Sequence, residues 1–188
     1  GVVVVDPKGD LVDDVLRRLP SEALERVAVL DPTDQAPLGI NPLTGGTGGA
    51  GSGLAVEGLF SVLHSLWAES WGPRLGDVLH AGLLTLELEP GHSLVELPLL
   101  LTNPGFRRPL VALARQRDPL GLAGFWGWFD ELSPEQSAQV LAPVMNKLRS
   151  FVLRPDLRAV LGQKEPRFAL GEIFGAAAAP GRALFVRL

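Results

Sequence analysis

The stretch GVVVVDPKGDLVDDVLRRL, residues 1–19, decides how this chain of 188 residues is read. Val2–Val5 are β-branched throughout rather than alternating with polar residues, which predicts a strand of a parallel sheet buried on both faces. The run stops at Asp6, Pro7 cannot donate to a sheet ladder, and Gly9 permits a tight turn. A helical pattern follows over Leu11–Leu19, with Asp10 as N-cap, Asp13 and Asp14 in the first turn, and Arg17 and Arg18 in the last, where the helix dipole favours those charges. Pro20 ends it. Arg26–Leu30 is a second apolar strand that again ends in Asp-Pro, at Asp31 and Pro32. Strand, helix, strand with this spacing predicts a βαβ crossover, hence parallel strands and a right-handed connection. A carboxylate at the end of such a strand sits where open α/β sheets bind ligands. Asp6 therefore reads either as part of a phosphate or metal site or as a plain turn-former.

Composition narrows the classes. The chain is 46% apolar and 20% charged, a globular balance, and it has no cysteine, so disulfides, thiolate zinc sites and cysteine nucleophiles are excluded. No apolar run approaches the roughly 20 residues of a membrane span, and no basic region with a cleavage pattern precedes the first strand. A soluble, cytoplasmic protein without a signal peptide is the expectation. The net charge of −4 is unevenly spread: residues 1–53 carry −4, residues 54–100 carry −5, residues 101–163 carry +3 and residues 164–188 carry +2. A mildly basic second half suits nucleic acid or an acidic partner without amounting to a polybasic stripe.

Between these charge blocks the pattern changes. Residues 44–53, TGGTGGAGSG, hold six glycines in ten positions and predict a flexible linker. A phosphate-cradling loop would need Lys and Ser or Thr after the last glycine, but Gly53 is followed by Leu54 and Ala55. Beyond it the apolar period is 3.6. Leu59, Phe60, Leu63 and Leu66 mark one helix, and Leu75, Val78, Leu79, Leu83 and Leu86 mark another. Ser93 with Glu96 and Ser133 with Gln136 are capping boxes, the second opening a long helix over residues 134–153 with Val140, Leu141, Val144, Met145, Leu148 and Val152 as its core face. Trp126, Trp128 and Phe129 read as packing anchors. A strand-like segment at 167–170, a short helix GEIFG and a final strand over 183–186 return the chain to α/β style. The fold class is thus mainly α with α/β margins: an all-helical domain, 54–163, inserted between a strand-helix-strand part, 1–43, and a return segment, 164–188.

Catalytic chemistry finds little support in these residues. His64, His80 and His92 have no metal-ligand spacing, no serine stands in a G-x-S-x-G elbow, and capping explains Asp10, Asp13 and Asp14 without a cation. No metal site and no catalytic residue is expected.

The motifs VVVVDPKGDL, RVAVLDPTD, GINPL, WGPRLGDVLHAGLLTL, FRRPL, FWGWFDEL, PVMNKLRSFVLRPDLRAVLGQ and ALFVRL, in this order, resemble conjugative coupling ATPases, the TraG/TraD-like branch of the HerA/FtsK P-loop motors that deliver DNA to type IV secretion channels. The resemblance covers nearly the whole chain. It implies that the α/β margins belong to an incomplete P-loop-type core, with Asp6, Lys8, Gly9 and Asp10 matching a turn at the margin of the nucleotide site. The family's Walker A and Walker B elements have no counterpart in this sequence, so the chain alone is expected to need no cofactor and to hydrolyse nothing. Its parent is expected to be an ATPase using ATP and Mg²⁺, a homo-hexamer at a membrane secretion channel, while the piece by itself is read as a monomer.

What the resemblance implies for the helical domain is recognition of DNA or of a relaxase-like protein substrate. The basic residues available to phosphate are Arg107, Arg108, Arg115, Arg117, Lys147, Arg149, Arg154 and Arg158. Two other readings stand beside it: a protein-interaction scaffold without DNA affinity, which the acidic first half suits, and an unrelated α/β nucleotide-binding enzyme with Asp6 and Asp31 lining a crevice at the strand ends.

Overall fold

The four valines and Asp6 form strand β1 (Val2–Asp6), and helix α1 (Asp10–Arg18) follows after a turn in which Gly9 takes φ 82°. That left-handed conformation is why glycine stands there. A short helix α2 (Ser21–Leu24) leads into strand β2 (Val27–Leu30). The computed structural model describes residues 1–44, 53–165, 167–168, 173 and 181–187. Within it the chain divides into two compact units, Gly1–Asn41 with Pro155–Leu188, and Pro42–Arg154.

In the first unit the last strand, β3 (Ala183–Arg187), lies between the other two, giving the order β1-β3-β2 with both pairings parallel. Ala183 stands opposite Val2 on one side and Val27 on the other, and Val186 opposite Val5 and Leu30. The first two strands are therefore parallel to each other, as the crossover spacing predicts, but they are not neighbours. The unit's core gathers Ala28, Leu30 and Leu184 of the sheet with Phe168, Ile173 and Val160, the last from helix α9 (Pro155–Leu161). Residues 155–161, which the sequence reading assigns to the helical domain, thus pack in the α/β unit. One expectation fails for β1: Val2, Val3 and Val5 are 56%, 50% and 56% exposed, because β1 is an edge strand with neither face fully covered. Valine content specifies extended backbone, not what lies over it.

The second unit is all helical among the described residues: α3 (Leu54–Leu66), α4 (Pro73–Glu87), α5 (Leu97–Thr102), α6 (Pro104–Arg117), α7 (Leu122–Asp130) and α8 (Pro134–Val152). Helix α4 is its axis. Leu75, Val78, Leu79, Leu83 and Leu86 are all at most 2% exposed, and α3, α5, α6, α7 and α8 pack around it. From α8, Val140, Val144 and Leu148 are buried, and from α7 so are Trp126 and Phe129. The Trp126 indole N–H donates to Thr85 Oγ1 of α4 at 2.9 Å. Leu66 of α3 is exposed instead of joining Leu63 in the core.

The helix ends follow their sequence signals. Ser133 Oγ accepts from the Gln136 N–H at 3.2 Å while the Ser133 N–H donates to Gln136 Oε1 at 3.0 Å, a complete capping box. Asn103 Oδ1 caps α6 by accepting from Gly105 and Phe106. Asp118 Oδ atoms accept from Leu120, Gly121 and Leu122 at the start of α7. Among the described residues, no helix is long and apolar enough to cross a membrane. The predicted linker falls, at 45–52, outside the described residues, as do residues 169–170 of the predicted strand and most of the GEIFG helix, while residues 167–168 form a bend instead of a strand.

Candidate functional site

Among the described residues, one cluster of charged side chains stands at the C-terminal end of the parallel sheet. Asp6, 7% exposed, directs its carboxylate at the start of α1: Oδ1 accepts from the Lys8 N–H at 3.1 Å, and Oδ2 from Leu11 and Val12 at 2.9 and 3.1 Å. Burial pushes this carboxyl up, but backbone N–H bonds from Val12, Lys8, Gly9 and Leu11 together outweigh it and leave it below the ordinary range. The side chain thus fills the position at a helix N-terminus where a phosphate would otherwise be received. Gly9, not Asp10, is the N-cap, and Lys8 and Asp10 are exposed on the turn.

Beside this turn stands a group that sequence reading missed. Arg187, at the end of β3, bonds to Asp13 Oδ1 of α1 through Nη2 and to Asp31 Oδ2 through Nη1, the latter at 3.3 Å. Asp31 also accepts from the hydroxyl and N–H of Thr33 at 2.6 and 2.9 Å. Those Thr33 bonds are the main reason its carboxyl is held below the usual range, with Arg187 adding to them against burial. Signals for this cluster were absent because 156 residues separate Arg187 from Asp31. The four residues Asp6, Lys8, Gly9 and Asp10 are together on one turn, where three backbone N–H groups already occupy the Asp6 carboxylate. Among the described residues no group of three or more His, Asp or Glu is arranged to hold a metal ion.

Another cluster is on the helical unit. Helix α6 carries four arginines and no acid. Its residues Pro104, Arg107, Arg108, Val111, Ala112 and Arg115, with Asp130 at the end of α7, line a cleft of about 350 Å³. The spacing explains the lining, since positions 104, 108 and 112 form one i, i+4 row and 107, 111 and 115 the next. Arg107 is only 15% exposed: Nη1 donates to the Leu101 carbonyl at 3.3 Å, Nη2 to Asp130 Oδ1 at 3.4 Å, and the guanidinium lies 5.2 Å from the Phe129 ring centre. Arg115 Nη2 donates to Asp130 Oδ2 at 3.0 Å. Arg108 is exposed and has no partner among the described residues.

The eight basic residues are therefore not one surface. Arg107, Arg108 and Arg115 share the cleft, and Arg117 is exposed at the end of the same helix. Lys147 of α8 bonds to the Ser70 hydroxyl, with its ammonium 5.9 Å from the Trp67 ring centre, and Arg149 donates to Asn146 at 3.1 Å. Arg154 follows α8 at the unit's end, and Arg158 is on α9 in the other unit. Arg107, read from sequence as a free phosphate ligand, is half structural, because its guanidinium closes the α5–α6 corner through Leu101 and stacks on Phe129. The histidines are engaged locally, His80 with Glu57 at 2.7 Å, His92 with Glu96 at 3.2 Å and His64 edge-on to Trp71. No protein-family model, no curated protein and no solved structure matches the chain.

Proposed function

We propose that this chain is the substrate-recognition part of a DNA-translocating ATPase of the conjugative coupling type, with strands of an incomplete P-loop-type core at its margins, and that it contacts DNA through the α6 face. The observation that carries the reading is the cleft, where Arg107, Arg108 and Arg115 meet a single counter-charge, Asp130. It stands on a unit whose α3 and α4 carry Glu57, Asp77 and Glu87 against Arg74 alone, so phosphate would be repelled there and received at α6. The motif order and the helical unit placed between strands of one parallel sheet are in keeping with that family. ATP hydrolysis and hexamer assembly belong, on this reading, to the parent protein and its channel.

The test is binding of labelled single- and double-stranded oligonucleotides to the whole chain across a salt series. An excess of two charges in the cleft gives a log–log slope of about −1.4 for single strands and about −1.8 for duplex, with little base preference. Replacing Arg108 and Arg117 by Ala should flatten that slope and leave the fold intact, since both are exposed surface charges. Arg107 is not suited to this test because its removal also opens the α5–α6 corner. A folded chain that binds neither form of DNA at low salt would refute DNA contact and favour a protein substrate.

A further inference from the structure

The cleft between α6 and α7 differs from a generic basic surface in having its own anion. The Asp130 carboxylate spans two guanidinium groups, Arg115 at 3.0 Å and Arg107 at 3.4 Å, much as one face of a phosphate would. Arg107 is held in place by a backbone carbonyl and an aromatic ring, so its guanidinium is fixed before any ligand arrives. Arg108, one residue on and lining the same cleft, has no counter-ion among the described residues. Three guanidinium groups and one carboxylate leave the cleft with two positive charges in excess. Its volume of about 350 Å³ falls in the range of small-ligand sites, which begins near about 300 Å³.

This arrangement discriminates between kinds of phosphate. An internal phosphodiester carries one negative charge, so entering the cleft either leaves one positive charge unmatched or trades places with Asp130 for no gain in charge. A phosphate monoester, whose second ionisation is near pH 6, carries almost two. It matches the excess with Asp130 still in position and can accept from Arg108 and Arg115 together. Resting on the reading of the α6 face as a phosphate-binding surface, we infer that the cleft seats a phosphate monoester dianion, as at the phosphorylated end of a DNA strand, with Arg108, partnerless among the described residues, as the residue that receives its second charge.

The experiment compares short single-stranded oligonucleotides differing only in a 5′-phosphate or 5′-hydroxyl, bound to the whole chain at pH 8, with inorganic phosphate as competitor. The phosphorylated strand is expected to bind about tenfold more tightly, the effect of one added charge-assisted bond pair. Arg108→Gln should abolish the difference without affecting folding. Asp130→Asn, which leaves the cleft more positive, should tighten both strands and the phosphorylated one more, whereas lowering the pH to 5.5 should narrow the ratio as the monoester takes up a proton. Competition by inorganic phosphate below about 1 mM would identify the free anion as sufficient and support the site. Equal binding of both strands, each salt-sensitive, would overturn the inference and leave DNA contact standing. Failure of both strands to bind while inorganic phosphate still binds, in an Arg108-dependent way, would overturn DNA contact and leave the phosphate seat standing.

Discussion

Replacing Thr85 by Val tests what holds the α7 wall of the cleft. Trp126 is fully buried, and its indole N–H donates to Thr85 Oγ1, whose own proton goes to the Ala81 carbonyl one turn back on α4. Valine keeps the shape of threonine and removes only the acceptor. The Ala81 carbonyl keeps its helical partner, whereas the indole N–H is left in the core with nothing to bond, at a cost of about 1–3 kcal/mol. With a urea m-value of about 2 kcal/mol/M, the midpoint should fall by about 0.5–1.5 M with no change in slope. All four tryptophans, Trp67, Trp71, Trp126 and Trp128, lie in the helical unit, so intrinsic fluorescence follows that unit alone. Trp126→Phe removes the donor and leaves Thr85 bonded to Ala81, so Thr85→Val in that background should cost under about 0.5 kcal/mol, a coupling of about 0.5–3 kcal/mol between the pair. Equal midpoint shifts in both backgrounds would refute the view that this hydrogen bond, rather than side-chain shape, pins α7 to α4.

Other perturbations follow from single residues. Ser133→Ala removes the cap of α8 and should cost about 1 kcal/mol in fluorescence-monitored urea unfolding, with Ser133→Asp recovering most of it. Gly9→Ala forces a side chain into φ 82° beside Arg187 and should cost about 1–2 kcal/mol, read as faster amide exchange in α1 than in β3. The Asp6 carboxyl lies below its ordinary value of 3.8 when folded, so its contribution is complete above that pH and is lost as pH falls through the folded value; Asp6→Asn should flatten the acid limb of stability against pH, and unchanged acid limbs would count against the backbone bonds assigned to it.

The sequence was most readable where one local signal sufficed. The 3.6 period of α4 and α8, the Ser133 box and the Pro-limited ends of β1 and α1 each depend on residues a few positions apart. Helix α6 was obscured by Pro104 and Pro109: the first merely opens the helix, and the second, in its second turn, removes one main-chain bond without stopping a helix that α5 and α7 hold from outside. Strand order was not readable, because nothing in VVVVD or in VAVL states that the partner of both is ALFVR, more than 150 residues away. For the same reason the basic residues could be counted but not sorted. Only the α6–α7 packing brings Asp130 to Arg107 and Arg115, 23 and 15 residues away, and so separates a bonded Arg107 from an open Arg108.

The α/β unit also shows how one sheet can carry a unit of over a hundred residues within its sequence. The chain leaves the unit after Asn41 and re-enters at Pro155. Just inside those points the two passages are joined: the Ile40 N–H donates to the Val160 carbonyl at 3.0 Å, Asn41 Nδ2 to the Lys164 carbonyl at 3.1 Å, and Gln163 Nε2 to the Pro37 carbonyl at 2.9 Å. Asn41 is buried, so its amide has no ready exchange with water, and Leu38 and Ile40 pack on the same core as Val160 and Leu161. Entry and exit are therefore held by the α/β unit's own bonds. Such a closed base lets an inserted unit vary in sequence without disturbing the host sheet, since loop-closure cost grows only slowly with the length of chain between fixed ends. It also separates two demands on the chain: the strand ends satisfy their charges internally, through Asp6 on α1 and Arg187 on Asp13 and Asp31, while an excess of positive charge is left at the α6 cleft of the helical unit.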